Sequence, residues 1–182
     1  MWYKKAMRSL AAITLLVLFL AVTAFRNALW HDEAGIWLDT IERAPRKARA
    51  YNELGLHYLA VGQHQKGFRV LARSLELDPY QPAVYVNLGL AYERLHDVDR
   101  AVKTYERAIW LNPGDPTAYY NLGVLTYATL KDPDRAFGYF LKARDLNPLE
   151  PDVHEHLARI YLERGDHDRA AEETALFRRL KH

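Results

Sequence analysis

The sequence contains no cysteine among its 182 residues. This absence excludes structural disulfides, a Cys-x-x-Cys metal or redox site, haem attachment through cysteine and a lipid-modified N-terminal cysteine. The GxGxxG, P-loop, GxSxG and HExxH motifs are missing as well. The carboxylates alternate with lysine and arginine along the chain, as they do on a solvated surface. We therefore predict no catalytic site and no cofactor.

A strong excess of charge of one sign is also missing. The chain has 25 Lys and Arg against 23 Asp and Glu, a formal net charge of +2. Lys4, Lys5 and Arg8 precede the first acidic residue, Asp32, and without them 25 − 3 = 22 basic residues face 23 acidic ones. Nucleic-acid binding needs clustered basic side chains. We therefore predict no nucleic-acid partner.

Histidine is present in eight copies, the densest group being His154 and His156 with Glu155 and Asp152. Zinc ligands on one helix favour separations of three or four residues, which place both side chains on one face. Residues two apart point about 200° apart on a helix. We therefore predict no metal site there, and we expect His154 to be half-buried.

Only one long apolar run occurs, residues 9–25, and it carries no charge. Extended back to residue 6, a helix over 6–25 would be about 30 Å long, the thickness of a bilayer core. The residues Val22, Thr23 and Ala24 also resemble a signal-peptide cleavage site. We favour an uncleaved anchor, with the N-terminus in the cytoplasm by the positive-inside rule and the rest of the chain on the periplasmic or extracytoplasmic side.

The remainder of the chain repeats itself every 34 residues. Tyr85, Leu88 and Gly89 recur as Tyr119, Leu122 and Gly123, and the same marks extend in both directions. A repeat of this length is typical of a solenoid. We divide the chain into an anchor (1–28), a connecting half repeat (29–47) and a repeat domain (48–182), whose copies are 48–81, 82–115, 116–150 and 151–182. One extra residue in the third copy falls in the turn around Asp132.

These marks resemble the tetratricopeptide repeat (TPR) family, whose pattern is an aromatic, Leu-Gly, Tyr, a small residue, an aromatic and a closing proline. The resemblance implies an all-α solenoid of antiparallel helix pairs, here preceded by one transmembrane helix. The fourth copy departs from the pattern, with His154 for the aromatic, Ala158 for Gly and Thr174 for the second aromatic. The segment from Arg26 to Gly55 also resembles the junction between membrane helix and repeats in multi-pass glycosyltransferases with C-terminal TPRs.

Helix boundaries follow from proline and aspartate positions. Pro82, Pro116 and Pro151 are expected at the first positions of first helices. Asp97, Asp132 and Asp166 are expected N-caps of second helices. These signals predict helices over 47–61, 64–77, 82–95, 98–111, 116–129, 134–146, 151–164 and 167–180. Gly55, Gly89 and Gly123 fall inside helices, and we expect the paired helix to cross there. Alanines of the paired helix are expected to face the crossing, and large tyrosine and phenylalanine residues to fill the space alongside: Ala101, Ala108, Ala136 and Ala143 are the expected alanines. The tyrosines at repeat-phased positions are expected to be core residues with polar tips.

The candidate functional surface is the inner wall formed by the first helices, because solenoids bind partners on a concave face. The resemblance places these residues on it: Asn52, Leu56, Val86, Asn87, Leu90, Tyr120, Asn121, Val124, His156 and Arg159. TPR domains that bind a C-terminal carboxylate place Lys and Arg on this wall. This wall is mainly apolar at its centre, which favours an apolar peptide or amphipathic helix as partner.

Three functions fit these features. The favoured one is a membrane-anchored TPR adaptor that binds protein partners and supports a larger membrane complex. The second is a periplasmic chaperone or assembly factor, released if the signal is cleaved. The third is an accessory subunit of a membrane enzyme such as a glycosyltransferase, which rests on the junction resemblance alone. Residues 6–25 are the expected membrane contact in the first and third.

Overall fold

The computed structural model describes residues 33–181. Within this range the chain forms α-helices and no strands. In chain order the helices are α1 (Glu33–Arg43), α2 (Ala48–Ala60), α3 (His64–Leu77), α4 (Pro82–Arg94), α5 (Val98–Leu111), α6 (Pro116–Ala128), α7 (Pro133–Leu146), α8 (Pro151–Glu163) and α9 (His167–Lys181). The helix pairs α2–α3, α4–α5, α6–α7 and α8–α9 each pack tightly, and each pair also contacts the next. The predicted all-α solenoid of helix pairs is therefore confirmed for the described residues.

The predicted aspartate caps are in place. The Asp97, Asp132 and Asp166 carboxylates accept hydrogen bonds from the backbone N–H three residues on, at 3.2, 3.0 and 3.2 Å. Asp115 adds an unpredicted cap, accepting from the Thr117 N–H at 2.9 Å at the start of α6. By contrast, Gln63 makes no side-chain cap at the start of α3. Capping side chains satisfy N–H groups that have no partner inside the helix.

The extra residue of the third repeat lies in the α6–α7 turn, as predicted. Four residues (129–132) separate α6 from α7, whereas three (95–97) separate α4 from α5. His96 and Lys131 adopt positive φ angles of 59° and 55° in these turns. Gly62 and Gly165 have the same left-handed conformation in the first and last pairs, where glycine has no Cβ to strain.

The helix-interior glycines allow close contact between paired helices, and a large side chain lies nearest each of them. A Cβ on Gly89 would lie 2.5 Å from the Tyr105 ring, and one on Gly123 would lie 2.9 Å from Phe140. Leu71 faces Gly55 in the same way. Each glycine therefore accommodates the flat or branched face of a large side chain, and the buried alanines lie alongside. The expected aromatic residues therefore fill the space at Gly89 and Gly123, and leucine fills it at Gly55, so that a large side chain and not an alanine lies nearest each glycine.

The core runs through the repeats as three connected clusters, which join residues of each helix pair to the next first helix. Tyr105 is fully buried, and its hydroxyl donates to the Glu93 carboxylate at 2.6 Å. Most other repeat-phased tyrosines are half-buried, in agreement with a core role. Tyr80, which lies in the α3–α4 turn, is exposed.

The fourth repeat contains a buried polar group that the sequence did not predict. His154 is 2% exposed, and not half-buried as expected, because its two ring nitrogens have acceptors inside the structure. Nδ1 lies 2.5 Å from the Glu173 carboxylate and Nε2 lies 2.9 Å from the Pro148 carbonyl. Arg144 donates to the same carboxylate at 3.1 Å. This trio connects α7, α8 and α9.

No helix within residues 33–181 is long and apolar enough to span a bilayer. The predicted anchor over residues 6–25 lies outside the described residues.

Candidate protein-binding groove

The first helices of neighbouring repeats lie next to each other. α2 contacts α4 directly, and α4 contacts α6. Tyr120 and Tyr127 of α6 extend this contact to α8, since both rings lie within 6.2 Å of the His156 ring. These helices therefore form one continuous surface, which we call the groove.

Equivalent positions form cross-repeat pairs along the groove. The Asn87 side-chain amide donates to the Asn52 side chain at 2.9 Å. The corresponding pair one repeat later is Asn121 with Val86, and Val86 has no polar group to offer. Asn121 therefore lacks the counterpart that Asn52 provides for the amide of Asn87.

The third pair of this series is aromatic. His156 lies 5.8 Å from Tyr120 and stacks on Phe140, with ring centroids 4.6 Å apart and planes 4° apart. Burial, followed by the positive charge of Arg159, lowers the pKa of His156. The imidazole is therefore neutral near pH 7. Its buried Nδ1 has no hydrogen-bond partner among residues 33–181, which fits a ring that packs as an aromatic.

The other predicted groove residues differ in accessibility. Leu56, Leu90 and Val124 are half-buried, as expected for an apolar wall. Arg159 is exposed and pairs with Glu155 at 3.1 Å. Val86 is 7% exposed and packs in the core with Ala118 and Leu122, so this position belongs to the interior and not to the open wall.

His154 and His156 do not converge on one point. His154 reaches Glu173 on α9, whereas His156 stacks on Phe140 of α7. This divergence follows from their separation of two residues. Within the part of the chain that the structure describes, no three His, Asp or Glu side chains are grouped as metal ligands.

Two cavities lie along the groove. The larger, about 380 Å³, is at the α1–α2 end and is lined by Ile36, Trp37, Glu53, Leu56, His57 and Ala60. The second, about 270 Å³, is bounded by the starts of α6 and α8 and the end of α7, and includes Tyr120 and Asn121.

Most residues that line these cavities were not among the predicted groove residues, and Trp37, Asn147 and Glu150 are examples. Trp37 belongs to the half repeat, whose packing on α2 the pattern did not specify. Glu150 directly precedes Pro151, the residue that begins α8, and this fixed position was the one available signal.

Comparisons with known proteins agree with this architecture. Family models described as Tetratricopeptide repeat match residues 86–151 and 125–176 in one case and 46–111 in another. Among curated protein sequences, none matches significantly. Proteins of this repeat family are typically non-catalytic interaction scaffolds, and no enzyme family is indicated.

Several solved structures share the fold. PilF of Pseudomonas aeruginosa has a TM-score of 0.75 and 21% identity, covering 93% of this chain and 74% of that one. MamA (41-end) of Desulfovibrio magneticus RS-1 has a TM-score of 0.64 and 22% identity, covering 82% and 96%. The first TPR of Spaghetti (RPAP3), bound to the HSP90 peptide SRMEEVD, has a TM-score of 0.61 and 24% identity, covering 65% and 94%. At these identities the likeness is one of fold.

Proposed function

Since this chain belongs to the tetratricopeptide repeat family, we propose that it is a non-catalytic adaptor that binds a segment of a protein partner in its groove. The observation that carries the proposal is Asn121. Its half-buried amide lines a cavity and has no polar residue at the position where Asn87 finds Asn52. A side-chain amide both donates and accepts, so it suits the backbone of a bound peptide.

The apolar part of the wall supports the same proposal. Leu56, Leu90 and Val124 leave part of their side chains accessible along the groove. Burying apolar surface contributes about 25 cal/mol per Å², so an extended strand or an amphipathic helix with alternating apolar residues would gain affinity here. RPAP3, a protein of the same fold, is bound to a peptide.

Site-specific photo-crosslinking in the source cells tests this function. A benzoylphenylalanine placed at Leu56 or Leu90 of the groove, which leaves Asn121 intact, should crosslink to a defined partner. The same probe at Lys103 or Glu106, exposed on the second helix α5, provides the matched control. Circular dichroism of each variant verifies folding. A partner captured equally from both faces, or only from α5, would show that the groove is not the binding surface.

We also propose that residues 6–25 anchor the chain in a membrane, with the repeats on the periplasmic or extracytoplasmic side and the adaptor serving a larger membrane complex. The uncharged run at 9–25 and the basic residues before it support this topology. The intact mass of the mature protein distinguishes an anchor from a cleaved signal. Loss of the first 24 or so residues would favour the released chaperone or assembly factor instead. Crosslinking to a membrane enzyme would favour the accessory subunit.

A further inference from the structure

The 270 Å³ cavity of the groove has one charged residue in its lining, Glu150. Tyr120 and Asn121 of α6 form one side of its lining, and Asn147 and Glu150 come from the segment between α7 and α8. Val153 adds apolar surface. The lining therefore offers one aromatic ring, two amides and one carboxylate, and it includes no lysine or arginine.

The Glu150 carboxylate has no structural partner in the described part of the chain. Glu150 is the N-cap residue of α8, yet its side chain caps no backbone N–H. Neither Glu150 nor the nearby Asp152 forms an ion pair with any residue within 33–181. A half-buried carboxylate without a counter-ion is a preferred position for a cation.

The negative potential extends to the aromatic ring. The pKa of Tyr120 is raised first by burial and then by the charges of Asp152, Glu150 and Glu155. Arg159 pairs only with Glu155, at 3.1 Å, so the other two charges are not compensated by it. An aromatic face beside uncompensated carboxylates attracts cations and repels acidic side chains.

We propose that this cavity is the subsite of the groove that receives a lysine or arginine side chain of the bound segment. The cationic group pairs with Glu150, and the alkyl stem lies against Tyr120 and Val153, an arrangement that long basic side chains adopt readily. The inference rests on the proposed function, since the cation is delivered by the peptide in the groove. It specifies the partner as an apolar segment that carries one basic residue.

Selection of a random peptide library displayed on phage, with the full chain as bait, tests the inference. The recovered peptides should share one lysine or arginine within an apolar sequence. Their synthetic versions should lose affinity when that residue is replaced by glutamine, and should bind more weakly in about 1 M salt, where the Debye length is about 3 Å.

Three variants of the chain test whether Glu150 is the residue that selects a basic side chain. Glu150→Gln keeps the side-chain shape and should weaken binding by about tenfold, the usual loss for a charge-assisted hydrogen bond. Glu150→Lys should select peptides with an acidic residue instead. Glu172→Gln, a matched loss of charge on the exposed face of α9, should leave binding unchanged.

The outcomes separate this inference from the proposed function. Peptides that bind in the groove without a shared basic residue, and with equal affinity for Glu150→Gln, would overturn the basic subsite and leave the adaptor function intact. Failure to recover any peptide whose binding is reduced by Asn121→Ala would count against both.

Discussion

In each of the first three helix pairs of the repeat domain, a glycine of one helix faces a large side chain of the other where the two helices cross. Gly55, Gly89 and Gly123 face Leu71, Tyr105 and Phe140, which follow them by 16, 16 and 17 residues, the last including the inserted turn residue. The equivalent residues of the fourth repeat are Ala158 and Thr174. Alanine adds a methyl group at the first position, and threonine is much smaller than the aromatic residue at the second. The fourth repeat therefore departs from the family pattern at both positions of the crossing.

Two glycine substitutions in helix interiors should have opposite effects on stability. Gly89→Ala places a Cβ 2.5 Å from the Tyr105 ring, so overpacking of about 1–3 kcal/mol outweighs the better helix propensity of alanine. Gly138→Ala meets no atom within 4 Å and should stabilise α7 by about 0.5–1 kcal/mol. Urea denaturation followed by circular dichroism compares the midpoints. A Gly89→Ala variant as stable as the native chain would contradict the proposed crossing contact.

At the scale of the helices, α9 is attached by more than apolar packing. His154 on α8 and Arg144 on α7 both contact the Glu173 carboxylate. Nε2 of His154 also lies 2.9 Å from the Pro148 carbonyl, so both ring nitrogens have polar partners. Such a group is costly to separate because each partner would be buried alone. It fixes the position of the last helix of the solenoid.

A double-mutant cycle measures this attachment. His154→Phe, which restores the family's aromatic, leaves Glu173 with Arg144 alone and should cost about 3 kcal/mol. Glu173→Leu should cost a similar amount, since it leaves the buried Nδ1 of the imidazole without its partner. The double variant should lie within about 1 kcal/mol of the native chain, because an apolar pair of similar volume replaces the buried polar one. Additive effects in the denaturation free energy would mean that the two side chains are not coupled.

The contrast between predicted and observed features has a physical basis. The period, the aspartate caps and the proline-initiated helices could be predicted because they depend on residues close in sequence. The His154–Glu173 contact and the Glu150 cavity could not, since both depend on how one helix crosses another. The burial of Val86 could not be predicted for the same reason: its position in the repeat matches the groove, but its side chain packs in a core cluster with Ala118 and Leu122.

Over the whole molecule, stability is set repeat by repeat, because each helix pair contacts mainly its neighbours. The second, third and fourth pairs have aspartate-capped second helices. The first pair has no side-chain cap on either helix and packs leucine, not an aromatic, over its glycine. We therefore expect amide hydrogen exchange to be faster in α2 and α3 than in α7 and α8.

Adding the missing cap to α3 tests whether the first repeat is less stable than the later ones. Gln63 occupies the position of Asp97 and Asp132, so Gln63→Asp should accept a hydrogen bond from the Lys66 N–H and stabilise α3 by about 1 kcal/mol, roughly a fivefold slowing of exchange there. Asp97→Ala is the converse change and should speed exchange in α5. Hydrogen–deuterium exchange read by mass spectrometry resolves both helices. Stabilisation in a solenoid is passed on mainly between neighbouring repeats, so the slowing of exchange caused by Gln63→Asp should fade by α8. Equal slowing in all the helices would show instead that the repeats unfold as one cooperative unit.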